Sequence, residues 1–343
     1  MQNRNLTLFQ RSVLVNSLLT SQIWYYAQTY PLPLYWSKKI NVLLYKFIWI
    51  ANTEPIARST LNLDRDMGGL SVINILVKSE SIFAYRMLKQ FMEDENQLSL
   101  VTYFNSLRVN PMLNIRTLPI NVAYVNTSYY NKGITTIRKC MRLNSFPNIS
   151  SRIIYSHLLV KQMPKIQEQY PLYNWKHIWG NLQFKFIPIN TREVMFKYLH
   201  EILPNKCRLK QIRRSNDDLC ETCNVPETNI HMMYYCLDVM IPKRFLIRLL
   251  LHCCIGEINL LKFMFLEISK RNKKLKNTII ILIITYISSV WYGRKNRRQI
   301  AKIYTSALLS HLKILKKLLG DTITEVFTSE FCELRLETMH NLI

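Results

Sequence analysis

The sequence predicts a mainly α-helical chain. Apolar residues return at helical spacing through most of its length, prolines punctuate the gaps, and glycine supplies only 7 of 343 residues. Glycine ordinarily makes up about 7% of a chain, so turn-rich β-sandwiches, glycine-rich phosphate loops and collagen-like repeats are disfavoured. With 49% hydrophobic and 11% aromatic residues the chain can bury real cores. Its length allows two or three domains of about 100–200 residues each.

The first helix is expected from Leu6 to about Thr29, with Leu14, Val15, Leu18, Leu19 and Tyr26 near helical spacing and a stop before Pro31 and Pro33. A second follows, on which Ile40, Leu43, Leu44, Phe47 and Ile48 form the buried stripe. Residues 60–74 alternate briefly and break at Gly68-Gly69, which marks a turn. A third helix starts near Asn74 and turns Ile75, Ile82, Met87 and Phe91 inward. Glu93-Asp94-Glu95 closes this unit, residues 1–91. Residues 92–170 are weakly periodic and carry Pro111, Pro119, Pro147 and Pro164, so they read as a loose connector with short helices.

A second unit, residues 171–300, opens at Tyr173-Asn174-Trp175. Asn190-Thr191-Arg192-Glu193 has the pattern of a capping box, from which a helix would run to the break at Pro204. Lys243 to Cys254 is an amphipathic helix. Ile279 to Trp291 is nearly continuous apolar sequence, and the run from Thr278 to Tyr292 is short of the ~18–20 residues of a membrane span. It has basic residues on both sides, so a buried helix is expected. Residues 301–343 form a helical tail that turns acidic at Asp321, Glu325, Glu330, Glu333 and Glu337.

The eight cysteines carry the chemistry. Cys140, Cys207 and Cys332 stand alone and Cys253-Cys254 are adjacent, whereas Cys220, Cys223 and Cys236 surround His231. A Cys-x2-Cys pair on a tight turn aims two sulfurs at one point, and a later His and Cys can close a tetrahedron. Cys220, Cys223, His231 and Cys236 are therefore expected to hold a structural Zn2+ with no open position. A Cys–His nucleophile would leave two of the thiols unused. The scattered remainder, without a secretory signal, indicates buried free thiols in a reducing intracellular compartment, nucleus or cytoplasm.

Charge points to the partner. The chain has 46 Lys+Arg against 22 Asp+Glu, a net +24, which calls for a polyanion: nucleic acid or an anionic membrane surface. Lys206, Arg208, Lys210, Arg213 and Arg214 lead into Cys220, and Arg294, Lys295, Arg297 and Arg298 follow the apolar helix. These residues are the expected phosphate contacts. Tyr234 and Tyr235, beside the cysteine cluster, have the chemistry to stack on unpaired bases, with packing the expected role for at least one.

Trp175-Lys176-His177-Ile178-Trp179, the helix ending Leu203-Pro204 and Cys220-x2-Cys223-x7-His231-x4-Cys236 together resemble the zinc-binding domain near the C-terminus of LINE-type (non-LTR) retrotransposon reverse transcriptases. Leu8-x2-Arg11, Pro31-x-Pro33, Phe47-Ile48-Trp49, Arg58 and Gly68-Gly69-Leu70 resemble the thumb of the same polymerases. Trp291-x2-Arg294-x-Asn296-Arg297 is similar to the helix that follows their zinc knuckle. The resemblance implies a thumb-like bundle, a connector and a zinc-knuckle unit, with RNA or an RNA–DNA hybrid as partner and a retroelement polymerase in trans as a further one. The palm's aromatic-x-Asp-Asp turn is missing, since the one Asp-Asp, Asp217-Asp218, follows Ser215-Asn216. The expectation is a binding fragment without catalysis. A zinc-stabilised protein-interaction module and a decayed element fragment are the alternatives.

Overall fold

Prolines and asparagines start many of the helices, and hydroxyl side chains widen one of them. A computed structural model describes residues 6–93, 133, 135–137, 139, 150–253, 259–268, 272–295 and 300–319. These residues are mainly helical, and the one extended pairing among them is an isolated antiparallel bridge between Leu219 and Pro226. The chain divides into two units, one of Gln10–Asn62 and Leu70–Gln162, the other of Met1–Phe9, Leu63–Gly69 and Met163–Ile343. Most of the expected connector, the acidic tail, Cys140, Cys254, Cys332, Arg297 and Arg298 lie outside the described residues.

The expected first helix is broken into α1 (Leu8–Leu14), a π-helical turn (Val15–Leu19) and α2 (Ser21–Ala27). Ser17 and Thr20 donate their hydroxyls to the carbonyls four residues back, which competes with the regular ladder and widens it. The widened turn carries Asn16, whose amide donates to Ser71 O at 2.7 Å and accepts from Ile73 N–H at 3.0 Å. α3 (Leu34–Trp49) starts behind Pro33 and ends at Ile50, whose φ is 52°. The buried Arg11 donates to Ile48 O at 2.6 Å, so a cation satisfies a carbonyl of the helix C-terminus.

The buried face of α3 is the expected one except at Leu43, with Ile40 and Phe47 half-buried. Ser37, Leu44, Tyr45 and Ile48 face inward while Leu43 is exposed. Tyr45 turns inward because Asn62 donates to its hydroxyl, at 3.2 Å. α4 (Arg58–Leu61) leads to α5 (Ile75–Glu93), which Asn74 caps by accepting Val77 N–H. Ile75 and Met87 are buried as expected, with Phe83, Ala84 and Leu88 beside them, whereas Ile82 is half-buried. α6 (Ser151–Leu158) packs on α5, and Tyr155 accepts the Asn74 N–H at 3.0 Å.

In the other unit the Gly68-Gly69 turn is present. Gly68 has φ 89°, and a Cβ on Gly69 would stand 1.9 Å from the Leu63 carbonyl oxygen, so only glycine fits. α7 (Lys165–Gln169) precedes α8 (Trp175–Leu182), which Asn174 caps by accepting His177 N–H at 3.1 Å. α9 (Ile189–Leu199) corrects the capping-box expectation. The helix begins earlier, behind Pro188, so Asn190 lies inside its first turn and caps nothing. Glu193 instead accepts the Leu8 N–H and pairs with Lys197.

α10 (Lys206–Gln211) is short and capped by Asn205. α11 (Met240–Cys253), α12 (Leu260–Met264), α13 (Lys273–Lys295) and α14 (Ile300–Leu319) follow the cysteine cluster. α13 packs on α9, α11, α12 and α14. Every residue from Thr278 to Val290 is buried, and a fully buried Ile or Leu contributes about 1.5–3 kcal/mol. Lys273–Arg294 is long and apolar enough to cross a membrane by length and composition, yet 72% of its most apolar window is buried inside the protein.

Candidate metal centre

The chain from Asp218 to Cys236 folds so that four soft donors converge. Cys220 N–H donates to Val225 O at 2.8 Å, Asn224 N–H to Cys220 O at 2.9 Å, and Glu227 N–H to Asp218 O at 2.7 Å. Asn224 takes the left-handed conformation, with φ 54°, which asparagine tolerates better than most residues. The tight turn holds Cys220 and Cys223 together. Thr228 accepts the His231 N–H and starts a π-helical turn, His231–Tyr235, closed by Cys236 N–H to His231 O at 2.9 Å. In an α-helix, residues five apart face different directions, and the wider π turn brings them back into register. That is how His231 and Cys236 reach the same point.

The donor atoms of Cys220, Cys223, His231 and Cys236 all lie within 4.8 Å of one another. Cys220 Sγ and Cys223 Sγ each stand 3.7 Å from Cys236 Sγ. Tetrahedral bonds of about 2.3 Å to sulfur place two sulfurs about 3.8 Å apart, so the spacing fits one ion. His231 Nε2 is buried without a hydrogen-bond partner among the described residues, a cost of about 1–3 kcal/mol if nothing binds there. A metal ion held by these four residues would satisfy the imidazole and tie the turn to the π turn.

The surroundings favour thiolate at Cys220 and oppose it at Cys236. Burial pushes the Cys220 thiol up, but Arg294, the backbone of Cys223 and Thr222, and His231 outweigh it and bring it down to about 6. Cys236 is the more deeply penalised partner; burial pushes it up against the opposing pull of the Asp238 backbone and Arg294. Leu237 N–H donates to Cys223 Sγ at 3.3 Å. Arg294, from the end of α13, donates to Cys236 Sγ at 3.1 Å, to Cys220 Sγ at 3.6 Å and to Glu227. Burial opposes the charge of Arg294, and the Cys220 sulfur and the Glu227 carboxylate hold it on. Glu227 also accepts the Lys206 N–H at 2.9 Å, which connects the centre to α10.

The cations expected to meet phosphate fall into distinct positions. Arg213 and Arg214 are exposed just after α10. Lys206 pairs with Asp217 and Glu221 at 3.5 and 3.4 Å, and Lys210 with Asp218 at 2.8 Å. Arg208 is half-buried. Arg294 departs from the expectation: its side chain is 15% exposed and its donors point at sulfur and carboxylate. Lys295 ends α13. Tyr234 is half-buried with the Lys243 ammonium 4.5 Å from its ring centre, and Tyr235 is exposed.

A cavity of about 750 Å³ lies beside the centre, with Glu193, Lys197, Lys206, Glu227, Trp291 and Arg294 in its lining. Sequence reasoning missed Glu227 and Arg294 as partners of the cluster. Their signal was a lone carboxylate between the ligand pairs and an arginine at the end of an apolar helix. No protein-family model and no curated protein matches this chain.

Proposed function

We propose that the chain binds single-stranded RNA or an RNA–DNA hybrid through a basic helical scaffold shaped by a structural Zn2+, without a catalytic step of its own. Three sulfurs and one imidazole suit zinc above magnesium or calcium, and a set of four protein donors leaves no position for substrate. The observation that carries the reading is the convergence of Cys220, Cys223, His231 and Cys236 directly after the exposed Arg213 and Arg214. The net charge of +24 supports it, as does the collinear resemblance to the thumb and zinc-binding domain of non-LTR retrotransposon reverse transcriptases. On that resemblance the chain works with a retroelement polymerase in trans, inside the cell.

The reading is tested by titrating labelled single-stranded RNA at several salt concentrations. Affinity should fall steeply with salt, and Arg213→Ala with Arg214→Ala should lower the log–log slope by about 1.4. A salt-independent affinity would contradict it. The local pairing of Lys206, Lys210 and Arg294 with carboxylates favours a second reading, a zinc-stabilised protein-interaction module. Such a module would keep its partner in the presence of a competing polyanion.

A further inference from the structure

The unit that holds no metal cluster among its described residues presents an unusual surface of its own. Tyr25 and Tyr26 at the end of α2, and Tyr35 and Trp36 at the start of α3, are each more than half exposed. The rings stand in preformed edge-to-face pairs, with centroids 5.7 Å apart for Tyr25–Tyr26 and 5.4 Å for Tyr35–Trp36. Lys39 lies over the second pair, its Nζ 4.5 Å from the Tyr35 ring centre and 5.5 Å from that of Trp36. Lys38 and Lys46 are exposed on the same helix. No aspartate or glutamate occurs before Glu54.

We infer that the Tyr35–Trp36 pair with Lys39 is a stacking platform for unpaired nucleobases, with the lysines of α3 taking the adjoining phosphates. Every base has a π face, and a protein that joins exposed rings to cations holds single strands with little sequence preference. The charge here is complementary to a polyanion, and the exposed rings leave their faces open to a base.

The helix geometry argues against a lipid face. Lys39 and Lys46 lie on the side of α3 opposite the buried Leu44 and Ile48. The middle of the outward face is therefore cationic, whereas a helix lying in a bilayer interface puts apolar side chains at the middle and lysines at its flanks.

This inference rests on the reading of the chain as a nucleic-acid binder and adds a second contact region with different chemistry. The test uses the full chain and two labelled strands with equal numbers of phosphates, one a single-stranded RNA and the other its abasic counterpart. The native protein should prefer the strand with bases by at least about fivefold. Tyr35→Ala with Trp36→Ala should remove that preference and leave the salt dependence and helical circular dichroism unchanged. Tyr35→Phe with Trp36→Phe should keep it. Equal affinity for both strands overturns the platform and leaves the broader reading standing, whereas binding to neither overturns both. An unchanged preference in the double alanine variant also overturns it.

Discussion

Arg294 Nη1 donates to Cys236 Sγ at 3.1 Å, joining the end of the apolar helix α13 to the last of the four clustered donors. Three thiolates with a divalent ion would carry a net charge of −1, which the partly buried guanidinium would offset. Arg294 also bonds Glu227 and lies 3.7 Å from Asp238, so it sits between the sulfurs and the carboxylates that position it. Replacing it with alanine should weaken metal affinity about 10–100-fold, the usual effect of losing an outer-shell partner. A chelator competition, compared with Arg213→Ala as a surface control, measures this.

Metal removal should uncouple the turn at Cys220 from the π turn at His231. In chelator the thermal transition of the folded chain should move down, and the thiols of Cys220, Cys223 and Cys236 should become reactive together. Cys223→Ser should reproduce the shift without chelator. Thiol counting during a melt reports both, and unchanged reactivity would count against a shared ion.

His200 sets an acid limit. It stacks on Trp179 with ring centres 5.2 Å apart, and its Nε2 lies 2.9 Å from Gly68 O, so that nitrogen carries the proton and donates. Burial pulls its pKa down to about 4, against the Gly68 hydrogen bond, which raises it. An unfolded histidine titrates near 6.5, so between these values the unfolded chain binds more protons than the native one. Stability from this group is complete above pH 6.5 and declines as the pH falls toward 4, by about 3 kcal/mol. His200→Gln should flatten that part of the curve in denaturant melts taken across pH.

Two glycines should respond oppositely to alanine. Gly69→Ala places a Cβ 1.9 Å from a backbone carbonyl oxygen that cannot swing away, and should cost at least about 1–3 kcal/mol. Gly180, inside α8, has nothing within 4 Å of the added atom, so Gly180→Ala should stabilise by about 0.5–1 kcal/mol. Denaturant midpoints of the two variants give the comparison.

The helical class and the four donors were legible because each rests on a short-range pattern: apolar spacing in α13, Cys-x2-Cys and His-x4-Cys in the cluster. The burial of Tyr45 and the exposure of Leu43 on α3 were not, because the helix is apolar on both sides and Asn62, distant in the sequence, bonds the Tyr45 hydroxyl. The capping box at Asn190 failed because Pro188, two residues earlier, starts α9 first. Arg294 read as one more cation, since its partners Cys220 and Glu227 lie 74 and 67 residues away in the chain.

X-ray absorption at the zinc edge, on the folded and reduced full-length chain, tests the central claim most directly. One zinc per chain, with three sulfur neighbours near about 2.3 Å and one nitrogen near about 2.0 Å, is the expected result. A folded chain that holds no stoichiometric metal, or a first shell dominated by oxygen, would contradict it.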